Sequence, residues 1–556
     1  MTARINRPLL LACCAVPIVI FLWTVFAMST NTPFQDDFDA LLEPVLLLHS
    51  QDFLWAGFWR ALYQQDDERR IVVDRLIAYL LYTFNGELNL KLMVIGGALN
   101  LLIVPAVLYR WFKSTATSLV LMVPIVWVLF NIQFYETIFW AMIPFQHLAV
   151  FVWAILTMWL LTRGTRATLL GALATGLLTI YADVSGNFIL PAGLLALAAQ
   201  YRWREAAIWL LVLGIVSGFY FTGLEMPAYR PKFSDNFSNP FQIVLVLITL
   251  FGIWADPGPT FPMLFREGLS LAFGLAGLIF VLQLLVKEVK NTVVRKNTLK
   301  KDSAFLWGTL GFITIVLLVL ASGRASEGLE TFFNPRYRHM YLFWIIFSYL
   351  LAVRYNPVWF RSSVVQNTLV AGSVLFCANA YLMYWGGLDK YRKTFLIDAY
   401  QWYHNRSLPS SPIYLSLRKR VDDIYEGVYK QGIYHPEKYP FETLPDAPVE
   451  GKIEVALHQA DGGVDVSVAN VARGMGKNDG AYLIFRADNG ETHILPTYHR
   501  QRPLHRLLLD GSYYYPDAQM DRYATDYFKS KAFEVEVGII EGKKQYRLIT
   551  GKQLRL

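Results

Sequence analysis

The chain has 556 residues, of which 54% are hydrophobic and only 17% are charged, and its formal net charge is +8. Soluble domains usually carry about 25% charged residues, so this composition excludes an ordinary soluble protein and indicates a membrane protein. In a multi-pass membrane protein, an excess of basic residues sets topology, so no nucleic-acid partner is expected. The cysteines all lie in apolar runs, which excludes a disulfide framework in the polar segments and a metal site made of cysteines.

The first apolar run, near 8–29, is predicted to be a retained membrane helix. Arg4 and Arg7 flank it as in a signal peptide, but the run is long enough to span a bilayer, and no small-residue cleavage site precedes Asn31. Further runs approach the length of roughly 20 residues that a bilayer needs. In chain order, the runs lie near 8–29, 92–112, 116–134, 144–162, 166–182, 187–200, 205–223, 240–256, 268–286, 304–322, 337–353 and 363–385.

Basic loops orient these runs, because cytoplasmic loops carry the excess of lysine and arginine. The loops at 202–204 and 287–301 are both predicted to be cytoplasmic, so an even number of helices must cross between them. The weakest run there is 240–256, which starts at Pro240 and ends in a proline- and glycine-rich breaker at Asp256. We therefore expect a re-entrant or interfacial helix, about eleven crossings, a cytoplasmic N-terminus and a C-terminus outside.

Two large segments then lie on the outer side. The first is a long loop, 31–91, and the second follows the last crossing. From 451 onward, short alternating runs such as VDVSVANV and FEVEVGII are separated by turn dipeptides such as Asn489-Gly, which predicts strands. The expected fold class is a polytopic α-helical membrane protein with a C-terminal extracytoplasmic β-rich domain, a sandwich or small barrel. Its expected domains are a transmembrane part (1–386), a helical linker region (387–450) and the β-rich domain (451–556).

Three carboxylates stand together directly after the first helix, at Asp36, Asp37 and Asp39 in the stretch NTPFQDDFD. One interpretation is helix capping, because an aspartate before a helix accepts hydrogen bonds from free N–H groups. The other is an acid/base centre, because adjacent carboxylates repel and one of them can be poised as a base. Three carboxylates exceed what a cap needs.

The same outer loop contains the charged stretch QQDDERRIVVDRL, 64–76. Most of these residues fit a solvated charged face, and Arg70 and Asp74 have the spacing of a helical ion pair. Alternatively, Arg69 or Arg70 neutralises a phosphate or holds a catalytic base.

Glu136 is the only charge in the short loop 131–140, where aromatic residues surround it. A lone carboxylate in such a place is typical of a sugar-binding or metal-supporting acid. The alternative is a helix-end carboxylate that faces headgroup water.

Two further polar residues, His147 and Asp183, interrupt apolar sequence. A histidine such as His147 is more often a hydrogen-bonded residue of the helix bundle than a ligand. Asp183 ends one span, and the turn that follows explains Gly186 and Asn187 without a function. Both His147 and Asp183 are kept as substrate-binding candidates, with Glu136.

The stretch SGRASEGLETFFNPRYRHMYLFW, 322–344, places arginines at the outer end of two spans, against the positive-inside trend. Guanidinium binds phosphate bidentately, so these arginines predict an anion site for a lipid phosphate, with Arg336 first and Arg324 second. Tyr337 is included as a substrate-binding residue. The alternative is snorkelling of the arginines, with Arg338, to outer headgroups.

Motifs for other enzyme classes do not occur in the chain. There is no GxxxxGK[ST], no GxGxxG after a strand, no HExxH and no GxSxG. An ATP-driven pump, a dinucleotide enzyme, a zincin and an α/β-hydrolase are therefore unsupported.

The arrangement as a whole resembles the GT-C membrane glycosyltransferases, in their bacterial form, over roughly residues 1–385. An acidic cluster follows the first span, a long outer loop with helices comes next, and many further spans precede an outer domain. The residues that carry the resemblance are PFQDDFD, DERRIVVDRL and GRASEGLETFFNPRYRHMYLFW.

The resemblance implies a multi-pass enzyme of the bacterial cytoplasmic membrane that uses a polyprenyl-phosphate-linked sugar and inverts its anomeric centre. It implies a catalytic aspartate at Asp37, with Asp36 second, donor-phosphate binding by Arg336 and then Arg324, and a second acidic residue at Glu136. From its place in the charged stretch 64–76, Arg70 is a further candidate for binding the donor phosphate. Where bacterial relatives often have Glu-His-Arg, this chain has Glu68-Arg69-Arg70, so no proton relay is expected there.

The resemblance leaves several points open. The acceptor is a glycan, a lipopolysaccharide or a protein, and membrane lipids surround the chain. Some branches of the family use a divalent metal and others do not, and the sequence gives no firm ligand set and no certain cofactor. Two other classes remain: a lipid-linked glycan transporter or flippase, which should show paired broken helices, and a non-catalytic scaffold with an outer binding domain.

Overall fold

The computed structural model is mainly helical, and a region of β-sheet lies at the C-terminal end of the chain. The structure describes residues 7–50, 55–227, 239–294, 297–408, 414–437, 454–460, 463–471, 476–520, 523–524, 528–542 and 544–556.

The α-helices vary greatly in length, and one-turn 3₁₀ or π-helical segments join several of them. In chain order, the α-helices are Arg7–Met28, Glu43–Ser50, Trp55–Tyr63, Val72–Asn85, Leu90–Asn100, Ile103–Ser114, Val123–Leu129, Tyr135–Phe139, Ala149–Arg163, Arg166–Ala182, Ile189–Ala199, Trp203–Phe221, Pro240–Gly252, Met263–Val289, Lys301–Arg324, Arg338–Tyr355, Ser363–Asn405, Tyr414–Lys430 and Leu504–Asp510. Three of the short segments are the π-helical Pro144–Leu148 and the 3₁₀-helical Val184–Phe188 and Pro335–Tyr337.

Within the described ranges, seven helices are long and apolar enough to cross a membrane. This agrees with the predicted multi-pass membrane fold, while the larger number of about eleven crossings remains a prediction. Four of the other apolar runs form shorter helices. The seven are Pro8–Met28, Leu90–Ser114, Pro144–Arg163, Trp203–Phe221, Met263–Thr292, Lys301–Glu327 and Ser363–Asn405, and the shorter four are Leu119–Leu129, Arg166–Ala182, Val184–Ala199 and Pro240–Ala255.

The apolar helices differ in how much of their surface the protein covers. The apolar window of Pro144–Arg163 is 83% buried, whereas those of Trp203–Phe221 and Met263–Thr292 are each 22% buried. Long helices that expose leucine, isoleucine and phenylalanine all round would be unstable in water, so their surface fits contact with lipid. The helix Pro144–Arg163, in contrast, lies in the interior of the protein.

The chain divides into two compact units. The first unit contains Met1–Val25, Leu47–Leu80 and Met93–Leu382, and most of the apolar helices belong to it. The second contains Phe26–Leu46, Leu81–Leu92 and Met383–Leu556. The predicted domain boundaries at 386 and 450 stay predictions.

In the second unit, the C-terminal strands form two antiparallel sheets. One has the order β1-β2-β6-β5, with β7 also paired to β2, and the other has the order β4-β3-β8-β9. The strands are β1 Val455–Ala460, β2 Gly463–Val468, β3 Gly480–Arg486, β4 Thr492–Pro496, β5 Tyr498–Gln501, β6 Tyr514–Gln519, β7 Tyr523–Ala524, β8 Ala532–Glu541 and β9 Lys544–Arg555.

The two sheets share one hydrophobic core. Val464 and Val466 of β2 belong to the same buried cluster as Leu483 of β3 and Val535 and Val537 of β8. Alternating residues along each strand point to opposite faces, so the alternating runs of the sequence supply this core. The predicted β-rich region at the C-terminus is thereby confirmed, and its two sheets pack as a sandwich.

Candidate functional site

Most of the predicted substrate-binding residues lie in the first unit, on short segments that interrupt or join its apolar helices. Glu136 is in the helix Tyr135–Phe139, His147 is in the π-helical turn Pro144–Leu148, and Asp183 precedes the turn Val184–Phe188. The two arginines of the predicted anion site, with Tyr337, lie in the segment 324–337 that precedes the helix Arg338–Tyr355. These segments are irregular because proline, glycine and polar residues interrupt the apolar sequence there.

The segment around Glu136 packs against the segment around Arg336. The hydroxyl of Thr137 donates a hydrogen bond of 2.8 Å to the carbonyl oxygen of Arg336, and it lies 3.2 Å from Nδ1 of His339. Glu136, in the first turn of its helix, is within electrostatic range of the Arg336 guanidinium. Burial raises the pKa of Glu136 to about 7, although the positive charge of Arg336 opposes the shift. This carboxyl can therefore accept or release a proton near neutral pH.

The guanidinium of Arg336 has no hydrogen-bond or ion-pair partner in the described part of the chain. Its Nε atom is buried and unpartnered, and its Cζ atom lies 5.2 Å from the centroid of the Tyr337 ring. The Cζ atom of Arg324 lies 6.0 Å from the same centroid, and Arg324 forms an ion pair of 3.3 Å with Glu327. The two arginines predicted to bind phosphate thus lie next to the same tyrosine ring. The guanidinium of Arg336 remains available to bind an anion.

The side chain of Arg338 does not lie at the membrane surface, as its sequence position suggested. The sequence grouped it with the out-of-place arginines at the membrane surface, but its side chain is buried and bonded to Asp256. Asp256 also accepts a bidentate pair of hydrogen bonds from Arg266, at 2.8 and 2.9 Å. Snorkelling to headgroups therefore does not apply to Arg338, which joins a structural cluster of charges. Asp256, predicted only as part of a helix breaker, is the centre of that cluster.

Asp183 and His147 lie in one polar region of the first unit. One oxygen of Asp183 accepts a hydrogen bond of 3.3 Å from the Gln146 side chain. The other accepts two from Ser185, of 3.0 Å from the backbone N–H and 2.6 Å from the hydroxyl. His147 is within electrostatic range of Asp183 and of Arg336. The bonds from Ser185 thus support the interpretation of Asp183 as part of a turn. His147 also interacts electrostatically with both Asp183 and Arg336, which links this polar region to the predicted anion site.

Gly186 explains why the chain turns so tightly after Asp183. A Cβ atom on Gly186 would overlap the carbonyl oxygen of Thr179, in the preceding helix. Only glycine permits such an approach of backbone to backbone. The glycine thereby fixes the position of the Asp183 carboxylate relative to the helix Arg166–Ala182.

Arg70 does not form the helical ion pair with Asp74 that its spacing suggested. Its guanidinium donates to the carbonyl oxygens of Tyr63, Tyr220 and Thr222, at 2.9 Å for Tyr220 and 2.7 Å for Thr222. Arg70 precedes the helix Val72–Asn85, so helical spacing does not apply to it. Its geometry is that of a residue that anchors the loop to the end of the helix Trp203–Phe221, and this makes it the weakest of the three phosphate-binding candidates.

Asp74 is the buried residue that sequence reasoning missed. Its side chain is 0% exposed, and neither carboxylate oxygen has a hydrogen-bond partner among the described residues. Burial raises the pKa of Asp74 well above its ordinary range, and the negative charge of Asp183 adds to the effect, while Arg69 and Arg75 oppose it. The available sequence signal was an aspartate in the stretch 71–84, whose apolar residues recur at helical spacing.

The aspartates of the first outer stretch lie in the second unit. Asp37 is fully buried, and one of its oxygens accepts a hydrogen bond of 3.0 Å from the backbone N–H of Phe34. Asp39 forms an ion pair of 3.0 Å with Arg420, and Asp36 is partly buried. The bond to Phe34 is a local bond from backbone to side chain, which gives Asp37 a structural role, although Asp37 makes no side-chain capping bond to the helical turn that follows it. A catalytic role for Asp36 or Asp37 stays a prediction.

In the part of the chain that the structure describes, no group of three or more histidine, cysteine, aspartate or glutamate residues could hold a metal ion. Comparison of the chain with protein-family models, with characterised proteins and with solved structures gave no match. The resemblance to the GT-C glycosyltransferases therefore depends on the sequence motifs alone.

Proposed function

We propose that the chain is a membrane glycosyltransferase that moves a sugar from a polyprenyl-phosphate carrier to an acceptor on the outer face of a bacterial cytoplasmic membrane. The observation that supports this most strongly is the guanidinium of Arg336. It is partly buried, lacks a protein anion among the described residues, and lies near Glu136. A guanidinium in such a place favours an anionic ligand, and a lipid phosphate is the anion that a membrane supplies.

In the proposed reaction, an acceptor hydroxyl attacks the anomeric carbon of the lipid-linked sugar. A new carbon–oxygen bond forms while the bond from that carbon to the phosphate oxygen breaks, and the phosphate leaves with the bonding electron pair. Arg336 and Arg324 stabilise the charge that develops on the phosphate. Glu136 takes the proton from the acceptor hydroxyl, since its pKa near 7 suits a base at neutral pH. Asp37, with Asp36, remains the alternative base.

The proposal includes a topology of about eleven crossings. The N-terminus is cytoplasmic, 240–256 is re-entrant, and the C-terminal β-rich domain is periplasmic. Single cysteines introduced at Asn489 and Lys300, in a chain without its native cysteines, test this by labelling of intact cells. We expect an impermeant maleimide to label position 489 and to leave position 300 unlabelled, and the reverse pattern would contradict the topology.

Transfer from polyprenyl-phosphate sugars in proteoliposomes tests the function itself. Arg336→Ala should weaken donor binding by about 10- to 100-fold, because a hydrogen bond to a charged group contributes roughly 1.5–3 kcal/mol. Arg336→Lys should retain part of the binding through its charge. The matched control is Arg361→Ala, which removes an exposed arginine of the same unit. Equal donor binding in Arg336→Ala and Arg361→Ala would contradict the phosphate assignment.

A second candidate function is a proton-coupled transporter of lipid-linked glycans. It is favoured by Asp74, whose buried carboxyl has no hydrogen-bond partner among the described residues, and by the helix break at Asp183. Proteoliposomes separate the two functions, because a transporter moves the intact lipid-linked sugar between leaflets and forms no glycosidic product. Loss of that movement in Asp74→Asn, without any transfer activity in the unmodified chain, would favour the transporter.

A further inference from the structure

The second unit contains a cavity that the proposed reaction does not use. Its volume is about 410 Å³, and it lies where the helix Ser363–Asn405 meets the loop before β3 and the strands β5 and β6. The rings of Trp385, Tyr498 and Tyr514 are part of its lining. Binding pockets for small molecules have volumes of roughly 300–1,000 Å³, so this cavity suits a small ligand.

The loop that forms one wall of the cavity is held in place from the helix. Arg392 donates hydrogen bonds to the carbonyl oxygen of Lys477, at 2.8 Å, and to the side chain of Asn478, at 2.9 Å. The ammonium of Lys393 donates to the carbonyl oxygen of Asp479, at 3.0 Å, and pairs with Asp389 at 2.9 Å. These contacts fix the wall before any ligand arrives, which reduces the entropy cost of binding.

The charges around the cavity are balanced. Two acidic residues, Asp389 and Asp479, and two lysines, Lys393 and Lys477, are part of its lining. Asp479 is further occupied, because its oxygens accept backbone N–H groups of the chain at 2.7 and 3.0 Å. A site with such a balance offers no net attraction to a phosphate or a polyanion, and it therefore favours a neutral ligand.

The remaining surface combines aromatic rings with groups that can form hydrogen bonds. The indole N–H of Trp385 has no partner in the part of the chain that the structure describes, and the exposed Lys477 supplies a further donor at the rim. Asp389 provides a carboxylate as acceptor. A neutral molecule that presents apolar C–H faces to aromatic rings, and hydroxyl groups that both donate and accept hydrogen bonds, is a saccharide.

We propose that this cavity binds a neutral mono- or disaccharide unit. This inference follows from the cavity alone and does not depend on the proposed function. The rings of Trp385 and Tyr514 hold the sugar by stacking, and the Trp385 N–H and the Asp389 carboxylate fix its orientation.

Isothermal titration calorimetry of the full chain in detergent tests the binding without requiring activity. The probes are cellobiose, maltose, lactose and chitobiose, with a glucuronic-acid disaccharide as the anionic comparison. At least one neutral disaccharide should bind, and Trp385→Ala and Tyr514→Ala should each raise its dissociation constant about tenfold or more. Trp385→Phe keeps a ring but removes the N–H, so it should retain part of the affinity.

The matched control is Tyr515→Ala, because neighbouring residues of a strand point to opposite faces and Tyr515 is not part of the cavity lining. It should leave the dissociation constant unchanged, as should Arg336→Ala, which affects only the donor site. A thermal melt of each variant excludes unfolding as the cause of lost binding. The proposal is overturned if no neutral disaccharide binds, if the anionic one binds better, or if Trp385→Ala and Trp385→Phe both bind like the unmodified chain.

Failure of the two proposals can be told apart. Saccharide binding that depends on Trp385, without any sugar transfer, would keep the cavity assignment and reject the glycosyltransferase. Sugar transfer in a chain whose Trp385 variants bind disaccharides like the unmodified chain would keep the enzyme and reject the cavity assignment.

Discussion

Replacement of Glu136 by glutamine tests the electrostatics of the site in quantitative terms. Burial holds the pKa of Glu136 near 7, against an ordinary value of 4.5. Since one pKa unit corresponds to about 1.4 kcal/mol, the shift disfavours the charged form by about 3 kcal/mol, and partial exposure of the side chain reduces this to roughly 1–3 kcal/mol.

The sign of the effect on stability follows from proton binding. Between pH 4.5 and 7 the folded chain holds a proton on Glu136 that the unfolded chain has released. The contribution of this group to stability is therefore greatest in acid and declines as the pH rises towards 7. Glu136→Gln is neutral at every pH, so the variant should lose this decline, by roughly 1–3 kcal/mol between about pH 5 and pH 8.

Two measurements on the purified chain check this. The midpoint of thermal unfolding in detergent, followed from about pH 5 to pH 8, should fall less steeply in Glu136→Gln than in the unmodified chain. In the transfer assay, the unmodified rate should rise with pH through an apparent pKa near 7, and Glu136→Gln should lose this limb together with about 10²- to 10⁴-fold of the rate.

Glu330→Gln is the control, because Glu330 is an exposed glutamate of the same unit. It should behave like the unmodified chain in both measurements. If Glu136→Gln keeps the rate limb near neutral pH, the titrating group is another residue and the assignment of Glu136 as base is refuted. If its unfolding profile also matches that of the unmodified chain, the carboxyl does not experience the burial described here.

Three further predictions concern residues that support the site. Asp256→Asn should destabilise the chain by about 3–5 kcal/mol, seen as a lower unfolding midpoint, because it leaves the buried guanidinium of Arg338 without its anion; a midpoint like that of the unmodified chain would show that this ion pair is not needed. Gly186→Ala should cost about 1–3 kcal/mol by forcing the turn away from the carbonyl of Thr179, and an unchanged midpoint would contradict the close packing. Asp74→Asn removes a buried carboxyl that resists ionisation, so the variant should unfold at a higher temperature than the unmodified chain, by a margin that grows as the pH rises above the ordinary range of an aspartate; unfolding curves that differ by the same amount at every pH would mean that Asp74 is solvated.

The sequence predicted those features that depend on local pattern. Apolar runs and alternating strands gave the multi-pass helical fold and the C-terminal sheets, because bilayer thickness and the pleat of a strand impose fixed lengths and periods. The placing of Arg336 and Arg324 in one region also followed from a local observation, that both stand against the charge trend of membrane loops.

Pairings between distant segments were not predictable in this way. Arg338 was grouped by its neighbours in the chain, but its anion, Asp256, is 82 residues away. Arg70 was expected to pair within its own helix, yet its partners Tyr220 and Thr222 lie about 150 residues further on. Which charge meets which partner is decided by the packing of helices that are remote in sequence, and a single chain without an alignment gives no signal for it.

The sequence could not separate a capping aspartate from a catalytic one either. Asp37 and Asp74 are both aspartates in the first outer loop, but only Asp74 is buried without a hydrogen-bond partner among the described residues. The difference between these two environments arises from tertiary packing, which residue type and spacing do not reveal.

The most direct test of the central claim is a cryo-electron microscopy structure of the full chain with polyprenyl phosphate bound. We expect density for the phosphate within hydrogen-bonding distance, about 3 Å, of the guanidinium of Arg336, with Arg324 on the same side of Tyr337. Phosphate density at another place, with the Arg336 side chain left without an anion, would contradict it.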